Sequence, residues 1–423
     1  MTIKGTAGDD ILTGTAAADS FNMAQGGDDT VSGLGGNDVF LYGATFNAAD
    51  HIDGGDGIDT LDLDGDYSTD TVFEPNTLVN VEKITLSAGH DYYLQMNDAT
   101  VAAGQNLQVN ASALGAGNTL TFFGNSETDG SLTVTGGAGD DNISGGKFHN
   151  DLYGGAGDDT IYVNGGVNTV EGGDGNDTIR IEGAFSSTSK FDGGAGSNQI
   201  FFDGNDPNVQ ILGRNSAINI ADIGLGGGSY KLSLGNGIVA ANHLLAIYGN
   251  GLTSTETASI SAVHLTAGNV YLQGGAGTDK LVGGDGNDGF EGRGGHDVLT
   301  GGPGANSFYY GPASDSTSIT FDRITDFNAS VDHIFFGSGV NAIDTAVNGG
   351  TVTGSKFDAQ LTSILDASHL AAHDAVLFTP SVGYLAGHTL LVVDANGTPG
   401  YQASADYVVD ITGMTGTLTM SSF

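Results

Sequence analysis

Aspartate recurs at a fixed place in a nine-residue unit, G-G-x-G-x-D-x-U-x, in which U is a large apolar residue. Two clear copies are residues 154–162, which read G-G-A-G-D-D-T-I-Y, and residues 172–180, which read G-G-D-G-N-D-T-I-R. The same register runs through residues 5–22, 24–41, 45–62, 136–180, 193–201 and 274–309. Carboxylate and carbonyl oxygens are the ligands of Ca²⁺, which takes about six to eight of them. The pattern therefore predicts a series of calcium sites.

The sixth position of the unit supplies the predicted calcium-binding carboxylates. They are Asp10, Asp19, Asp29, Asp38, Asp50, Asp59, Asp141, Asp159, Asp177, Asp279, Asp288 and Asp297. In weaker copies this position is occupied by Asn150, Asn168, Asn198 and Asn306. Because these copies lack one formal charge, we expect them to bind Ca²⁺ less tightly or to end a stack. The fifth-position aspartates are expected to be solvated instead; they are Asp9, Asp28, Asp140 and Asp158.

Glycine at the first and fourth positions is the second component of each predicted site. Glycine adopts positive φ and lets backbones approach closely, which suits the tight turn between two coils. The carbonyl oxygens of such a turn supply further ligands for Ca²⁺. The glycines assigned to calcium sites are Gly136, Gly154, Gly157, Gly172, Gly175, Gly274, Gly277, Gly283 and Gly286.

The apolar eighth position is predicted to lie in a short strand and to point inward. One interior column is expected in each block of repeats. The columns are Leu12, Phe21, Val31, Phe40, Ile52 and Leu61, then Ile143, Leu152, Ile161, Val170 and Ile179, then Leu281, Phe290, Leu299 and Phe308. With these features the unit resembles the RTX nonapeptide of secreted bacterial proteins. The resemblance implies an all-β fold of right-handed parallel β-rolls, in which two nonapeptides make one coil and Ca²⁺ lies between successive turns.

The repeats divide the chain into six predicted parts. Residues 1–63, 136–201 and 274–336 are β-roll blocks, residues 64–135 and 202–273 are two similar β-modules, and residues 337–423 are a C-terminal export and capping region. Both modules contain alternating apolar runs, which predict strands with one buried face. Either the coil continues through the modules with wider, calcium-poor turns, or each module is a separate small β-domain. We favour the first arrangement because each module leads directly into a repeat block.

The segment after the third block resembles the C-terminal region of the secreted serralysin group, without the protease domain. The residues that carry this resemblance are F-D-R-I-T-D-F at 321–327 and D-H-I-F-F at 332–336. Residues 355–374 are predicted to form a helix, with a capping box between Ser355 and Asp358 and one apolar face. Two strands follow, so a small α+β region is expected. In the serralysin group the extreme C-terminus directs export through a type I secretion apparatus.

The composition favours an exported, cation-binding protein. The chain has 50 acidic and 11 basic residues, and its formal charge of −39 disfavours nucleic acid and anionic membranes as partners. It has no cysteine, no apolar N-terminal signal segment and no apolar window long enough to span a membrane. Type I export explains these absences together. It predicts a secreted, extracellular protein, either free or associated with the cell surface.

No familiar catalytic motif occurs in the sequence. H-E-x-x-H and G-x-S-x-G are both absent, and His369 with His373, spaced i, i+4 on the predicted helix, has no apparent third zinc ligand. We therefore expect a non-enzymatic surface-layer, matrix or adhesive protein, whose partner is another copy of itself or a cell-surface polysaccharide.

The sequence leaves two alternative functions open. The first is an enzyme that acts on an extracellular polysaccharide through a β-module face, where Tyr92 and Tyr93 would stack on sugar rings. The second is a secreted effector that inserts into host membranes. The effector is disfavoured because the sequence has no apolar or amphipathic membrane segment.

Overall fold

A computed structural model describes residues 1–183, 186–204, 206–213 and 216–423, and this part of the chain is mostly β-structure. The chain forms two compact units, which are Met1–Asp203 with Asn215–Ile220, and Gly204–Arg214 with Ala221–Phe423. In both units most strands pair in parallel, coil upon coil, which is the pattern of a β-solenoid. The predicted all-β, parallel β-roll fold is confirmed.

The strands are short, as expected for coils that turn at every nonapeptide. In chain order they are Thr2–Lys4 (β1), Ile11–Thr13 (β2), Ser20–Asn22 (β3), Thr30–Ser32 (β4), Val39–Tyr42 (β5), His51–Asp53 (β6), Thr60–Leu63 (β7), Tyr67–Val72 (β8), Leu78–Val79 (β9), Lys83–Leu86 (β10), Tyr92–Gln95 (β11), Asn106–Asn110 (β12), Leu120–Phe123 (β13), Ser131–Thr135 (β14), Asn142–Ser144 (β15), His149–Ala156 (β16), Thr160–Val163 (β17), Val167–Asp174 (β18), Thr178–Glu182 (β19), Lys190–Ala195 (β20), Gln199–Asp203 (β21), Asp206–Leu212 (β22), Ala217–Ile218 (β23), Asp222–Leu225 (β24), Tyr230–Leu234 (β25), Leu244–Tyr248 (β26), Ala258–Ser261 (β27), Asn269–Gln273 (β28), Lys280–Val282 (β29), Gly289–Glu291 (β30), Val298–Thr300 (β31), Ser307–Tyr310 (β32), Asp322–Ile324 (β33), His333–Phe336 (β34), Val347–Asn348 (β35), Thr351–Val352 (β36), Ala375–Thr379 (β37), Val382–Gly383 (β38), Leu390–Val393 (β39) and Tyr407–Asp410 (β40). The α-helix is Phe357–Ile364 (α1), and 3₁₀ turns occur at Asp98–Thr100, Ala313–Asp315, Ser318–Thr320, Gly354–Lys356 and Met420–Ser422.

In the first unit the strands stack in parallel series. The series are β1-β3-β5-β7-β10-β12-β14-β16-β18-β20-β23, then β2-β4-β6-β9, then β8-β11-β13-β15-β17-β19-β21. Successive nonapeptides run on opposite faces of the coil, so Ile161 lies beside Ile179 in one sheet, and Leu152 lies beside Val170 in another. The interior column predicted for each block is therefore two facing columns. Their side chains are buried, apart from the half-buried Leu12.

The strands of residues 64–135 belong to the same series as the repeat strands. Ile84 of β10 lies beside Leu61 of β7 on one side and Val109 of β12 on the other. Ile84 and Val109 are 25 residues apart, whereas Ile161 and Ile179 are 18 apart. The coil thus continues through this module with wider turns.

The second unit has the same construction at its start and a different one at its end. Its series are β24-β26-β28-β30-β32-β34 and β22-β25-β27-β29-β31-β33-β40-β39-β37-β35, with β36-β38 as a separate pair. Along the second of these series, the pairs from β22 to β40 are parallel. β39 instead pairs antiparallel with both β37 and β40. Among the described residues, no helix is long and apolar enough to cross a membrane.

The predicted helix over residues 355–374 is much shorter in the structure, where α1 ends at Ile364. Leu365 adopts φ −100° and ψ 69°, and the Oδ1 atom of Asp366 then accepts the backbone N–H of Ser368 at 2.9 Å. Such a local side-chain turn competes with continued helical hydrogen bonding. The apolar spacing was misleading, because the later leucines reach the C-terminal core from turns rather than from a helix.

The predicted capping box at the start of the helix is also wrong. The N-cap residue is Lys356, which makes no side-chain capping hydrogen bond. Asp358 instead accepts hydrogen bonds from the hydroxyls of Ser318, at 2.5 Å, and Tyr401, at 2.8 Å. Its carboxylate therefore connects α1 to two other segments.

The two histidines that the sequence predicts on this helix both lie outside it. The Nδ1 atom of His369 is 2.9 Å from Asp366 Oδ1 in an exposed pair. His373 has φ +56° and donates its backbone N–H to Asp394. The predicted helical i, i+4 placement of these two histidines is therefore wrong, because α1 ends at Ile364.

Candidate calcium-binding site

The sixth-position aspartates form ladders in which each carboxylate is held by the backbone of the preceding coil. The Asp159 N–H donates to Asp177 Oδ1 at 2.9 Å, and the Asp141 N–H donates to Asp159 Oδ1 at 2.8 Å. The same bond, 2.7–2.9 Å long, joins Asp10 to Asp29, Asp29 to Asp50, Asp19 to Asp38, Asp38 to Asp59, Asp279 to Asp297 and Asp297 to Asp322. Parallel stacking thus places one carboxylate above the next.

The second oxygen of many of these carboxylates has no hydrogen-bond partner although it is buried. Within the part of the chain that the structure describes, the unpartnered atoms are Oδ2 of Asp29, Asp38, Asp59, Asp159, Asp177 and Asp297. A buried carboxylate oxygen without a partner costs folding free energy unless a proton or a cation compensates it. In Asp141, Asp279 and Asp288 the equivalent oxygen accepts a glycine N–H at 2.6–2.7 Å.

The first-position glycines bring carbonyl oxygens to the same place. A Cβ atom added to Gly154 would lie closer than 3.0 Å to both Asp159 Oδ2 and the Gly172 carbonyl oxygen of the next coil. A carboxylate and a carbonyl oxygen meet in this way at Gly14, Gly33, Gly54, Gly136, Gly154, Gly172, Gly274 and Gly283. The donors are hard oxygens, some of them buried and unpartnered, so these residues fit Ca²⁺.

The fourth-position glycines make the close backbone approach that the sequence predicts for the turn between coils. Gly157 has φ +109° and Gly175 has φ +143°, a region that side chains avoid. An added Cβ at either position, or at Gly277 and Gly286, would lie nearest to backbone atoms of the preceding coil. These glycines let the coils stack backbone on backbone.

Two family models match the chain. The model of the RTX calcium-binding nonapeptide repeat (4 copies) matches residues 2–22, 23–44, 133–152 and 144–179. The model of the peptidase M10 serralysin C terminal matches residues 248–372. The chain carries RTX repeats and a serralysin-type C-terminal region. No protease-domain model matched, and a search of the curated proteins gave no match.

The two matches bear on the ion that the aspartate ladders bind and on the location of the protein. Stacked aspartates of RTX repeats are typical of Ca²⁺ binding, and both families indicate a secreted, extracellular protein. RTX proteins are typically exported by type I secretion. The third repeat block, residues 274–309, falls within the serralysin-type match. When bound, Ca²⁺ would neutralise the buried carboxylates and complete their coordination.

Burial raises the pKa of most ladder aspartates of the RTX blocks. It raises the pKa of Asp159 and of Asp297 to about 8, and that of Asp50 and Asp279 to about 6. Loss of water around the charged form is the main cause, and neighbouring carboxylates add to it. The pKa is raised for the same principal reason at Asp29, Asp38, Asp59, Asp141, Asp177 and Asp288.

Asparagine satisfies its own hydrogen bonds within the stack. Asn150 Nδ2 donates to Asn168 Oδ1 at 2.7 Å, and Asn168 Nδ2 donates to the Gly165 carbonyl oxygen at 2.7 Å. Asn198 and Asn306 accept the N–H of Asp177 and Asp288 through Oδ1, as an aspartate would. Asn198 and Asn306 therefore keep the ladder bond without a buried negative charge, whereas Asn150 and Asn168 are joined through their side chains.

The fifth-position aspartates are exposed, as expected, and form an outer row. Asp9 Oδ1 accepts the Asp28 N–H at 3.0 Å, and Asp140 Oδ1 accepts the Asp158 N–H at 2.8 Å. Their side chains face solvent. Their negative charges therefore lie at the surface and not in the buried ladders.

Three acidic residues outside the nonapeptide register also join the ladders. Glu82 Oε2 accepts the Asp59 N–H at 2.8 Å, Asp322 Oδ1 accepts that of Asp297 at 2.9 Å, and Asp332 Oδ1 accepts that of Asn306 at 2.8 Å. The sequence search missed them because longer turns precede them. The signal that remains is an acidic residue two places before a buried apolar one.

Proposed function

We propose that this RTX protein is a structural and adhesive protein of the cell exterior, which folds on Ca²⁺ after export and holds an extracellular polysaccharide. Where Ca²⁺ is scarce, the ladders bury uncompensated carboxylates, and the formal charge of −39 favours an extended chain. Extracellular calcium modules commonly bind in the 10⁻⁴ to 10⁻³ M range, on the order of extracellular Ca²⁺. Binding then contributes directly to folding.

An aromatic surface on the outer face of the second unit carries the adhesive part of this proposal. Tyr248, Tyr271, Tyr309 and Phe335 lie on strands β26, β28, β32 and β34 of one series. The rings of Tyr309 and Phe335 stack with centroids 5.2 Å apart, and Tyr271 is 6.2 Å from Tyr309. Tyr309 is 39% exposed and Phe335 is 40% exposed. We call these four residues the aromatic face.

Polar groups are fixed beside these rings. The Tyr271 hydroxyl donates to Glu291 Oε2 at 2.6 Å, and Gln273 Nε2 donates to the same atom at 2.9 Å. A shallow depression of about 330 Å³ is lined by Tyr271, Glu291, Tyr309 and Phe335 among others. Flat ring faces with adjacent hydrogen-bonding groups suit the C–H face and hydroxyls of a sugar. The charge of the chain favours a neutral polysaccharide over a polyanion.

Binding of the Ca²⁺-loaded protein to a panel of immobilised neutral polysaccharides tests this function. Changing Tyr309→Ala together with Phe335→Ala should weaken retention on the order of tenfold or more, because aromatic anchors commonly contribute over about 1.4 kcal/mol each. Phe148→Ala is the matched control, since Phe148 is an aromatic side chain of the first unit that is 49% exposed and lies outside the aromatic face. Equal retention of all three proteins would contradict the proposal, provided that circular dichroism shows them folded.

The surface-layer or matrix version of this role requires assembly of the protein itself. Light scattering during a Ca²⁺ titration should rise after the β-signal has formed if copies associate. Folding without any rise would leave adhesion as the function and would count against a self-assembling layer.

An enzyme that cleaves a polysaccharide is the second candidate. The position of the Glu291 carboxylate beside the aromatic face favours it. Glycoside hydrolysis ordinarily uses two carboxylates, and Glu291 offers one, so we place binding first. Release of reducing ends from the same panel, lost in Glu291→Gln, would establish the enzyme instead.

A further inference from the structure

Among the described residues of the 64–135 and 202–273 modules, four tight turns close on a large buried side chain with a backbone hydrogen bond of 2.8–2.9 Å. In each, the backbone N–H of the last residue donates to the carbonyl three residues earlier, at 2.8–2.9 Å. The turns are 111–114, 124–127, 249–252 and 262–265, and their last residues are Leu114, Glu127, Leu252 and Leu265. All four side chains are buried, and Glu127 is 0% exposed. A carboxylate thus stands where the equivalent turns have leucine.

Glu127 is only half satisfied in this position. Its Oε1 atom accepts the N–H groups of Asp129, at 3.1 Å, and Gly130, at 2.7 Å. Its Oε2 atom is buried and has no hydrogen-bond partner among the residues that the structure describes. Burial, together with the nearby charge of Asp98, raises the pKa of Glu127. Replacing a leucine by such a group destabilises the fold unless something compensates the charge.

Two further carboxylates converge on Glu127. One carboxylate oxygen each from Asp98, Glu127 and Asp129 lies within 4.8 Å of the other two. The Asp98 side chain is fixed by hydrogen bonds from the Thr128 N–H, at 2.9 Å, and hydroxyl, at 2.8 Å. Asp98 and Asp129 are exposed, which leaves the cluster accessible from solvent. Within the described residues, no Lys, Arg or His forms an ion pair with any of the three.

The second module lacks all three acidic residues at once. Residues 127–130 read E-T-D-G and residues 265–268 read L-T-A-G, and Asn236 stands three residues before Val239 as Asp98 stands before Val101. The backbone correspondence is close, because an added Cβ at Gly130 would meet Val101 and one at Gly268 would meet Val239. The acidic cluster is therefore a feature of one copy and not of the turn itself.

We propose that Asp98, Glu127 and Asp129 bind a Ca²⁺ ion outside the nonapeptide repeats. The donors are all carboxylate oxygens, which selects a hard cation, and Glu127 supplies the buried, unpartnered oxygen. Ca²⁺ tolerates irregular oxygen sites better than Mg²⁺, which demands near-octahedral geometry. The ion would fix the wide turn of the module, where the nonapeptide ladder has no aspartate. The site does not depend on the adhesive function.

Native mass spectrometry of the full chain at saturating Ca²⁺ tests this site, because it counts bound ions one at a time. Glu127→Leu, which copies Leu265, and the double variant Asp98→Asn with Asp129→Asn should each bind a single Ca²⁺ fewer than the unaltered protein. The double variant leaves the buried Glu127 in place, so at least one variant reports if the other fails to fold. Asp140→Asn, an exposed change outside the cluster, should bind the full number.

Two results would overturn the proposal. If both cluster variants bind as many Ca²⁺ ions as the unaltered protein, the cluster holds no ion. If the cluster of the unaltered protein also holds an ion when Mg²⁺ replaces Ca²⁺ at the same concentration, the assignment of this site to Ca²⁺ is wrong. A loss of one Ca²⁺ in both variants, with unchanged Ca²⁺-dependent β-signal from the repeats, supports the site.

Discussion

The backbone N–H of Asp159 donates a 2.9 Å hydrogen bond to Oδ1 of Asp177, while Oδ2 of Asp177 is buried and no described residue forms a hydrogen bond with it. One oxygen therefore orients the carboxylate, and the other is left for a cation. The orientation is set by the backbone of the neighbouring coil, so it forms only when the coils stack. Stacking and calcium binding are consequently coupled, and each makes the other more favourable.

The first prediction concerns the inner and outer aspartates of the second block. Asp159→Ala combined with Asp177→Ala should raise the Ca²⁺ concentration at the folding midpoint on the order of tenfold or more, since two ligands are removed. Far-UV circular dichroism of EDTA-stripped protein, titrated with Ca²⁺, measures this midpoint. Asp158→Ala, an exposed fifth-position change, should shift it little. Equal shifts from both would refute the assignment of ligand positions.

The second prediction is that Asp159→Asn stabilises the Ca²⁺-free fold but weakens Ca²⁺ binding. Asp159→Asn removes a buried charge and keeps an acceptor oxygen, as Asn150 and Asn168 show in the same block. Without Ca²⁺ it should stabilise the fold by about 1–3 kcal/mol, and with Ca²⁺ it should weaken binding. The stabilisation of the Ca²⁺-free fold is measured in EDTA, where the variant should need a lower osmolyte concentration to fold than the unaltered protein. Destabilisation under both conditions would contradict this reasoning.

The nonapeptide predicts the ladders and the apolar columns well because each repeat is a local unit. Asp159 and Ile161 occupy the same places as Asp177 and Ile179 one coil later, so a spacing in sequence becomes a stack in space. Because successive coils pair in parallel, residues one coil apart in the sequence lie one above the other, and no long-range information is needed to place them. The ladder positions within the repeat blocks follow from this spacing, and the fold class follows from the resemblance to the RTX nonapeptide.

Where the turns lengthen, the sequence no longer predicts the site. Asp322 lies 25 residues after Asp297 yet occupies the next place in its ladder, and only the following Ile324 marks it. The length of α1 was equally hidden, since Leu365 and Leu370 contribute to the C-terminal core from turns. Apolar spacing predicts which residues are buried more reliably than it predicts the backbone that carries them.

The third prediction concerns pH. Burial raises the pKa of Asp159 and Asp297 to about 8, well above the value of about 4 in an unfolded chain. The Ca²⁺-free folded state thus holds more protons than the unfolded state, so its stability is fully present below about pH 4 and is lost as pH rises towards 8. Osmolyte-induced folding in EDTA should need more osmolyte at pH 8 than at pH 5.

Calcium should show the opposite pH dependence, because protons and Ca²⁺ compete for the same oxygens. The Ca²⁺ concentration at the folding midpoint should fall as pH rises from about 5 to 8. Asp159→Asn should reduce this dependence between pH 6 and 8, whereas Asp158→Ala should not. A midpoint that is independent of pH would show that the raised pKa values do not govern binding.

The fourth prediction tests the space between a glycine and its carboxylate. A Cβ atom at Gly154 would lie closer than 3.0 Å to Asp159 Oδ2 and to the Gly172 carbonyl oxygen, and would occupy the place where these two oxygens meet. Gly154→Ala should therefore raise the Ca²⁺ midpoint. At Gly115 an added Cβ would meet no atom within 4 Å, so Gly115→Ala should leave the midpoint unchanged or lower it slightly by reducing the entropy of the unfolded chain. The same titration followed by circular dichroism compares the two variants, and a Gly154→Ala midpoint equal to that of Gly115→Ala would show that no ion uses this space.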